Sequence, residues 1–495
     1  MFSGLPPHLP VILVVLPLIA APICVIFRSA SLAWLIALIA SWLSFGISIF
    51  LLEQVISNGP ISYFLGNWPA PWGIEYKVDV LSAFVMLIVT SIGAIVMVFA
   101  PKSVQIEIPS DRTYLFYTMY LLTFAGLLGI TITADAFNLF VFLEISSLSS
   151  YVLISLGAQR NALTAALRYL ILGTVGATFY IIGVGLMYQM TGTLNISDLA
   201  ERMPDVASTK TILIAVGFIT IGIGLKLGLF PLHVWLPNAY AYAPSVVTAF
   251  LAATATKVAV YALLRVYFSI FGINLFSALP IAEVLLILGL IAIISMSTVA
   301  IYQNNAKRLL AYSSVAQVGY MVIGISMLTI TGLTATILHL FNHAVIKGAL
   351  FLALAAVFYR IKSVKVEDMA GLGKAMPYTM AAFVAAGFSL IGVPSTVGFI
   401  SKWYLILGAL EKDWWLVAIL IVLSSLLAVI YFWKVIEYAY FKNRTDGATE
   451  IRDVPLSMLI PIWVMVGSNF YFGLNSNFTI SAAMKAATSL IGDIP

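Results

Sequence analysis

Stretches long and apolar enough to cross a bilayer succeed one another along this chain, and that feature decides most of what it can be. A membrane helix needs about 20 mostly apolar residues. Fourteen such stretches can be read, at 8–27, 31–56, 79–100, 113–132, 134–157, 162–190, 211–229, 245–268, 279–301, 310–330, 333–359, 376–410, 414–440 and 455–474. Charged residues make up only 9% of the 495 residues, against 62% hydrophobic. So little charge cannot cover a soluble globule of this size. A cytosolic enzyme, a disordered chain and a secreted disulfide scaffold are therefore excluded. Cys24 is the only cysteine, so no internal disulfide can form. The net charge of +5 is scattered between apolar runs and does not point to nucleic acid. Residues 1–10 carry no Lys or Arg, and no small-residue cleavage site follows, so the first run is expected to be a retained helix. The expected fold class is an all-α polytopic membrane protein with about 14 transmembrane helices.

Orientation follows from the basic residues between the spans. One side collects Arg28, Lys102, Arg112, Arg160, Lys307, Arg308, Arg360, Lys362, Lys365, Lys374, Lys442, Arg444 and Arg452. The other collects Lys77, Arg202, Lys210, Lys412 and Lys485. The bias places the first side in the cytoplasm and both termini outside, in a bacterial cytoplasmic (inner) membrane. On the sparse side, 57–78 reads as a compact hairpin with Trp68 and Trp72 at headgroup level. There too, 191–210 reads as an amphipathic surface helix with Ser197 as N-cap.

Two spans contain breaks. Pro231, Pro237 and Pro244 interrupt 222–244, and Gly392, Pro394 and Gly398 interrupt 387–406. A helix broken at membrane depth frees backbone groups that protein or water must satisfy. Each break lies near a lysine, Lys226 or Lys402. Paired breaks in corresponding halves point to an internal repeat around a transport site. The repeat would set spans four to eight against nine to thirteen, and SSLSSYVLI (146–154) echoes SSVAQVGYMVI (313–323).

Ionisable residues inside the spans are the candidate site. A charge at the bilayer centre costs at least ~2.5–3.5 kcal/mol on insertion scales, so each needs a reason. Glu144 stands mid-span among Ser146, Ser147, Ser149 and Ser150. It is either a structural salt bridge or part of an ion path, and intramembrane acids favour the second. Arg168, two turns into its own span, is a candidate partner. Lys226 lies in the last turns of a helix about to break. A lysine whose counter-charge can move away is a proton switch. Lys257 lies ~18 Å of helix into its span, at mid-bilayer, whereas Arg265 has the depth of a snorkelling, structural residue. His339, His343 and Lys347 fall at i, i+4, i+8, which places three titratable groups on one helix face. Two histidines at that spacing could bind a metal, but the run offers no HExxH glutamate and too few further ligands. A proton relay fits better. Lys402 follows the second break; its bland alternative is a cation set against a half-helix C-terminus. Lys434 and Glu437, an i, i+3 pair, are expected to bond to each other near the cytoplasmic end. There is no Gly-rich nucleotide loop, CxxC or other cofactor motif, so neither cofactor nor metal is expected.

Together these segments resemble a known family. NLFVFLEISSLSSYVLI, GLKLGLFPLHVWLPNAYAYAP, TKVAVYALLRV, KRLLAYSSVAQVGYM, LHLFNHAVIKGALF and GVPSTVGFISKW look like the antiporter-like subunits shared by respiratory complex I, membrane-bound hydrogenases and Mrp-type cation/proton antiporters. Within that family, GNWPAPWGIEYKVDVLSAF (66–84) and the SVVTAFLAATATKVAVYALLRV run look closest to the D-type subunits of the Mrp antiporters. The resemblance implies two inverted five-helix units, here 113–268 and 279–440. N-terminal helices and an external loop (1–112) would precede them, and a C-terminal helix (441–495) would follow. It also implies a Glu144–Lys226 pair, Lys257 as central relay, and a chain through His339, His343 and Lys347 to Lys402. Lysine at 402 resembles the D-type and complex I N-type members, where M-type members tend to have Glu. Ending at 495, the chain is expected to lack the long lateral helix of L-type members and the large extension of A-type Mrp members. Arg168 stands where lysine is common, and Asn238 where many members have Asp. The implied function is proton translocation within a multisubunit Na⁺ (or K⁺)/proton antiporter, with other membrane subunits as partners. The alternative is a proton-pumping subunit of a redox complex whose electron chemistry lies elsewhere.

Overall fold

A computed structural model describes residues 7–443 and 451–492; Arg444 lies outside the described residues. The chain begins with α1 (Leu9–Phe27) and α2 (Ala30–Asn58), then a hairpin of β1 (Ile61–Phe64) and β2 (Glu75–Val78). Next come α3 (Val80–Glu107), α4 (Thr113–Ile132), α5 (Ala136–Ser155), α6 (Arg160–Thr191) and the short α7 (Ile196–Val206). The first break separates α8 (Lys210–Leu227) from α9 (Leu236–Tyr242), and α10 (Ser245–Leu264) follows. After α11 (Gly272–Ala278) stand α12 (Ile281–Ile301), α13 (Ala306–Ser326), α14 (Ile330–Ile361) and α15 (Leu372–Ala375). The second break separates α16 (Pro377–Ile391) from α17 (Val397–Glu411). The series ends with α18 (Trp415–Ile436), α19 (Leu456–Leu474) and α20 (Asn477–Ile491).

Among the described residues, 13 helices are long and apolar enough to cross a membrane. The α16–α17 pair supplies the fourteenth crossing expected from the sequence. Helix α20 was not expected as a separate element. Its alanine-rich face, Ala483, Ala486 and Ala487, is buried at helical spacing against α3 and α14, so it lies on the bundle as a surface helix.

Burial sorts the helices into a centre and a rim. In α10 and α13, 94% of the span window is buried; in α2, α6, α12 and α18 the share is 39%. Side chains on the rim face outward, while most of those of α10, α13 and α14 are buried within this chain. Most of the ionisable residues singled out in the sequence stand on or against that enclosed centre.

The two five-helix units show the same devices on opposite faces. Asp135 caps α5 by accepting from Asn138 N (2.6 Å), and its segment bridges to Asn195 after α6. Asn305 caps α13 by accepting from Arg308 N (3.0 Å), and its segment bridges to Lys365 after α14. The first bridge lies with the β-hairpin, where Asn195 donates to Glu75 (2.9 Å). The second lies on the face of the basic loops. Both α10 and α18 end in π-helical turns, Arg265–Ile270 and Glu437–Phe441. Each broken span stops at a left-handed glycine, Gly228 (φ +73°) and Gly392 (φ +96°), a conformation that side chains with a Cβ rarely adopt.

Helix α3 ties α10 at both ends. At one face the Glu107 carboxylate accepts from Ser245 N (2.8 Å) and Ser245 Oγ (3.0 Å), capping the start of α10. At the other, Asp79 caps α3 and pairs with Arg265 at the end of α10. Arg265 therefore does not snorkel, because a carboxylate meets it inside the protein. Two further expectations need correction. Asn195, not Ser197, caps α7, because its side chain reaches Ser197 N (3.0 Å) and Asp198 N (3.1 Å). Lys434 does not bond Glu437; it donates to Ile301 O, Gln303 O (3.0 Å) and Asn304 Oδ1 (2.9 Å), satisfying the end of α12, while Glu437 pairs with Lys442.

Helices α6 and α8 cross where Gly176 meets Gly222; a Cβ at 222 would fall 2.7 Å from Gly176 O and from Tyr180 N. Small residues allow this approach, and Lys226 stands one turn further on. The Gly222→Leu variant should lose about 1–3 kcal/mol to overpacking, read as a lowered thermal midpoint of the purified protein. An unchanged midpoint would contradict the close crossing.

Candidate functional site

The site begins at an ion pair held by α5 and α8. Lys226 Nζ donates to Glu144 Oε1 (3.0 Å) and to Ser147 Oγ (2.6 Å). The lysine side chain is 5% exposed and the carboxylate 20%. Neighbouring hydroxyls of α5 spend their protons on their own helix, as Ser146 does toward Leu143 O (3.0 Å) and Ser150 toward Ser146 O (2.6 Å). A hydroxyl that donates backward keeps lone pairs for accepting. Lys226 also sits in the last turn of α8, where a cation is favoured. Trp235 folds back from the unwound segment, donates to Leu225 O (2.8 Å) and stacks on Tyr169 at 3.7 Å. That closes the broken end of α8 against α6. Beside the pair is a small internal cavity of about 20 Å³ lined by Lys226, Ser146, Ser147, Ser150, Tyr169 and the α10 residues Ala255 and Ala259. Its polar wall and size suit one water molecule.

Helix α10 brings Lys257 to the middle of the bundle, wholly buried. Its ammonium donates to the Ala252 carbonyl of its own helix and lies 3.4 Å from Thr256 Oγ1. Helix α14 packs against α10 and carries Lys347, His343 and His339, all buried. Lys347 donates to Leu310 O (2.8 Å) and to Ser313 Oγ on α13. The echoed serine segments thus have a physical meaning: in each half a serine of the echo accepts from a buried lysine.

His343 and His339 stack one turn apart, with centroids at 5.8 Å and planes within 11°. His339 Nδ1 shares a hydrogen bond with Ser401 Oγ (2.8 Å). His339 Nε2 and both ring nitrogens of His343 are buried without a hydrogen-bond partner among the described residues. Tyr320 lies edge-on to His339 at 5.9 Å and beneath the ammonium of Lys402 at 5.3 Å, so it links the two. Lys402 donates to Leu390 O (3.1 Å), Ile391 O (2.7 Å) and Ser425 Oγ (3.0 Å). It therefore caps the open carbonyl end of α16 from α17, the arrangement that its bland alternative described. Gly398 permits this, because a Cβ there would overlap the Ser389 carbonyl oxygen.

Of the expected row, Glu144 and Lys226 pair between α5 and α8, Lys257 lies on α10, Lys347, His343 and His339 on α14, and Lys402 on α17. Arg168 is not part of it. It projects from the exposed face of α6 and forms none of the ion pairs found among the described residues. Pro231 and Pro394 sit in the unwound segments, and both are exposed on the rim. Sequence reasoning does not single out the carboxylates Asp79 and Glu107, which tie α3 to α10. Asp79 followed by Ser82 carries an N-cap signal, but nothing in the sequence names Arg265 as its partner. Among the described residues no cluster of His, Cys, Asp and Glu has a metal-holding arrangement.

Residues 133–428 match the family described as NADH:quinone oxidoreductase/Mrp antiporter, transmembrane. The chain is 41% identical to the N subunit of the NADH-quinone oxidoreductase of Desulforudis audaxviator, over 97% of this chain and 98% of that one. It is 30% identical to the D-type subunit of the Na⁺/H⁺ antiporter of Alkalihalophilus pseudofirmus, over 90% and 89%. Its fold matches a chain of the membrane-bound sulfane sulfur reductase, an archaeal respiratory membrane complex, with TM-score 0.91, 28% identity and coverage of 98% of both chains. The family resemblance therefore extends over nearly the whole sequence. The narrower likeness to D-type subunits does not carry the assignment, since the N-type relative is more similar than that D-type one.

A buried imidazole nitrogen without a partner costs free energy unless water reaches it. A high-resolution cryo-electron microscopy map should show ordered water against His343 and His339 Nε2. A dry, protein-filled contact at both rings would contradict the reading of this stretch as hydrated.

Proposed function

The chain belongs to the NADH:quinone oxidoreductase/Mrp antiporter transmembrane family, and from that premise we propose that it moves protons as a subunit of a redox-driven membrane complex. The observation that carries this reading is the Lys226–Glu144 pair at the head of a buried lysine–histidine row. The full-length similarity to an N-type subunit of an NADH-quinone oxidoreductase supports a redox partner. In this reading partner subunits perform the electron chemistry, and this chain supplies the proton path.

The mechanism follows from the pair's surroundings. The buried ammonium of Lys226 faces the Glu144 carboxylate. Glu144 is the more exposed partner, so a neighbouring subunit can pull its charge away. Lys226 then gives its proton through the serine-lined cavity toward Lys257. The charge arriving there pushes protons on through Lys347, His343 and His339 to Lys402. Imidazoles suit the middle of such a row, since one ring nitrogen can take a proton as the other gives one up. The working units are 113–268 and 279–440, one around each break.

Partner subunits are also called for by the backbone. The exposed segments at Pro231 and Pro394 leave irregular chain on the rim, and bare lipid cannot satisfy such chain at membrane depth. Neighbouring membrane subunits on those flanks would cover it. The basic-loop face is placed in the cytoplasm by its excess of Lys and Arg, with both termini on the other side of a bacterial inner membrane. His8 bonds Tyr63 of the hairpin (2.9 Å), which supports the N-terminal half of that placement.

A second reading is a proton path coupled to Na⁺ or K⁺ exchange, supported by the similarity to a D-type subunit of an Na⁺/H⁺ antiporter over 90% of the chain. Both readings need the same row. Lys226→Ala in the assembled complex, assayed in everted vesicles with a pH-sensitive dye, should abolish proton translocation with assembly retained. Unchanged translocation would sink the mechanism under either driver.

A further inference from the structure

Below Lys257, on the same face of α10, stand Tyr261 and Arg265 at i+4 and i+8, which reach about 12 Å further along the helix. The proton row described above leaves both unused. Tyr261 is buried, and its hydroxyl donates to Thr131 O on α4 (2.7 Å) while accepting from Arg265 Nε (2.9 Å). Arg265 pairs through Nη2 with Asp79, and the two side chains are 12% and 17% exposed. Beneath them opens a polar cavity of about 430 Å³, on the face opposite the basic loops, lined by Lys77, Asp79, Thr133, Tyr261, Arg265 and Ser269.

The inner cavity beside Lys226 reaches Ile130 on α4 and Ala259 on α10. The outer cavity begins at Thr133 on α4 and Tyr261 on α10. In level along the two helix axes the cavities are less than one turn apart, and the Tyr261 hydroxyl, bonded to Thr131 O, stands at the level between them. A purely structural ion pair gives no reason for a polar cavity to end here. Arg265 opens a π-helical turn, a feature frequent at functional sites.

We propose that Tyr261, Arg265 and Asp79 form the closed gate of a water-filled path from the Lys226 cavity to the face opposite the basic loops. This deepens the reading of the row as a proton path and rests on it. In the closed state Arg265 holds Tyr261 on Thr131. When Arg265 swings toward the outer cavity, Tyr261 gives its hydroxyl proton to water there and takes one from water on the inner side. One O–H bond breaks and one forms, and the phenol stays neutral.

The test uses the full complex in sealed vesicles, with Cys24→Ala as background and a membrane-impermeant maleimide added from the hairpin face. Ser269→Cys should label and Ser150→Cys should not. Adding Tyr261→Ala should make Ser150→Cys label from that face. Continued protection of Ser150→Cys, or labelling of Ser269→Cys only from the basic-loop face, would overturn the gate. Tyr261→Phe keeps the packing and removes only the hydroxyl; it should lose proton translocation with assembly intact. If Tyr261→Phe transports normally while Lys226→Ala does not, the gate is wrong and the row stands. If both transport normally, the row is wrong as well.

Discussion

An ammonium group shut away from water needs something to accept its hydrogen bonds, and the whole arrangement of this protein answers that need. Four lysines of the row are buried, and their acceptors differ in kind. Lys257, Lys347 and Lys402 rest on backbone carbonyls and hydroxyls, which are dipoles fixed by the helices that carry them. Lys226 rests on a carboxylate, and it is the row member with an ion-pair partner among the described residues. A fixed dipole cannot leave; a charged side chain at a half-open flank can. In the proposed mechanism, control of the row is therefore concentrated at one end.

Helix breaks serve the same need. A helix end leaves carbonyls without an intrahelical partner, and a lysine from elsewhere can take them. By stopping α16 at Gly392 and restarting at Val397, the chain exposes the carbonyls of Leu390 and Ile391, and Lys402 occupies them. By stopping α8 at Gly228, it places Lys226 at a helix end and lets Trp235 close that end. Each unit thus sets a lysine beside its break, Lys402 on the freed carbonyls and Lys226 on a carboxylate and a hydroxyl. Helix α3, tied to both ends of α10 through Glu107 and Asp79, fixes the register of the helix that carries Lys257 between them.

Much of this was legible in the sequence because it is local. Apolar runs gave fourteen crossings; Gly and Pro gave the breaks; i, i+4, i+8 spacing put His339, His343 and Lys347 on one face. The pairing of Glu144 with Lys226 was not readable from spacing, which also allowed Arg168, and it came from the resemblance. Asp79 with Arg265, and Glu107 with Ser245, join residues 186 and 138 positions apart. Depth alone made Arg265 look like a snorkelling side chain, since sequence periodicity carries no information about which helices become neighbours. Helix α20 escaped because its alanine face is too weakly apolar to read as a span, yet small enough to pack closely on α3 and α14. Lys434 beside Glu437 followed the helix-pair rule, and the carbonyl end of α12 outcompeted it.

The central claim is that the two flanks act through one continuous row, whose middle is Lys257. The most direct measurement is proton translocation by the reconstituted complex carrying Lys257→Met, which keeps the bulk of the side chain and removes its charge. The account predicts assembly with loss of translocation through this subunit. Full translocation by that variant would contradict it.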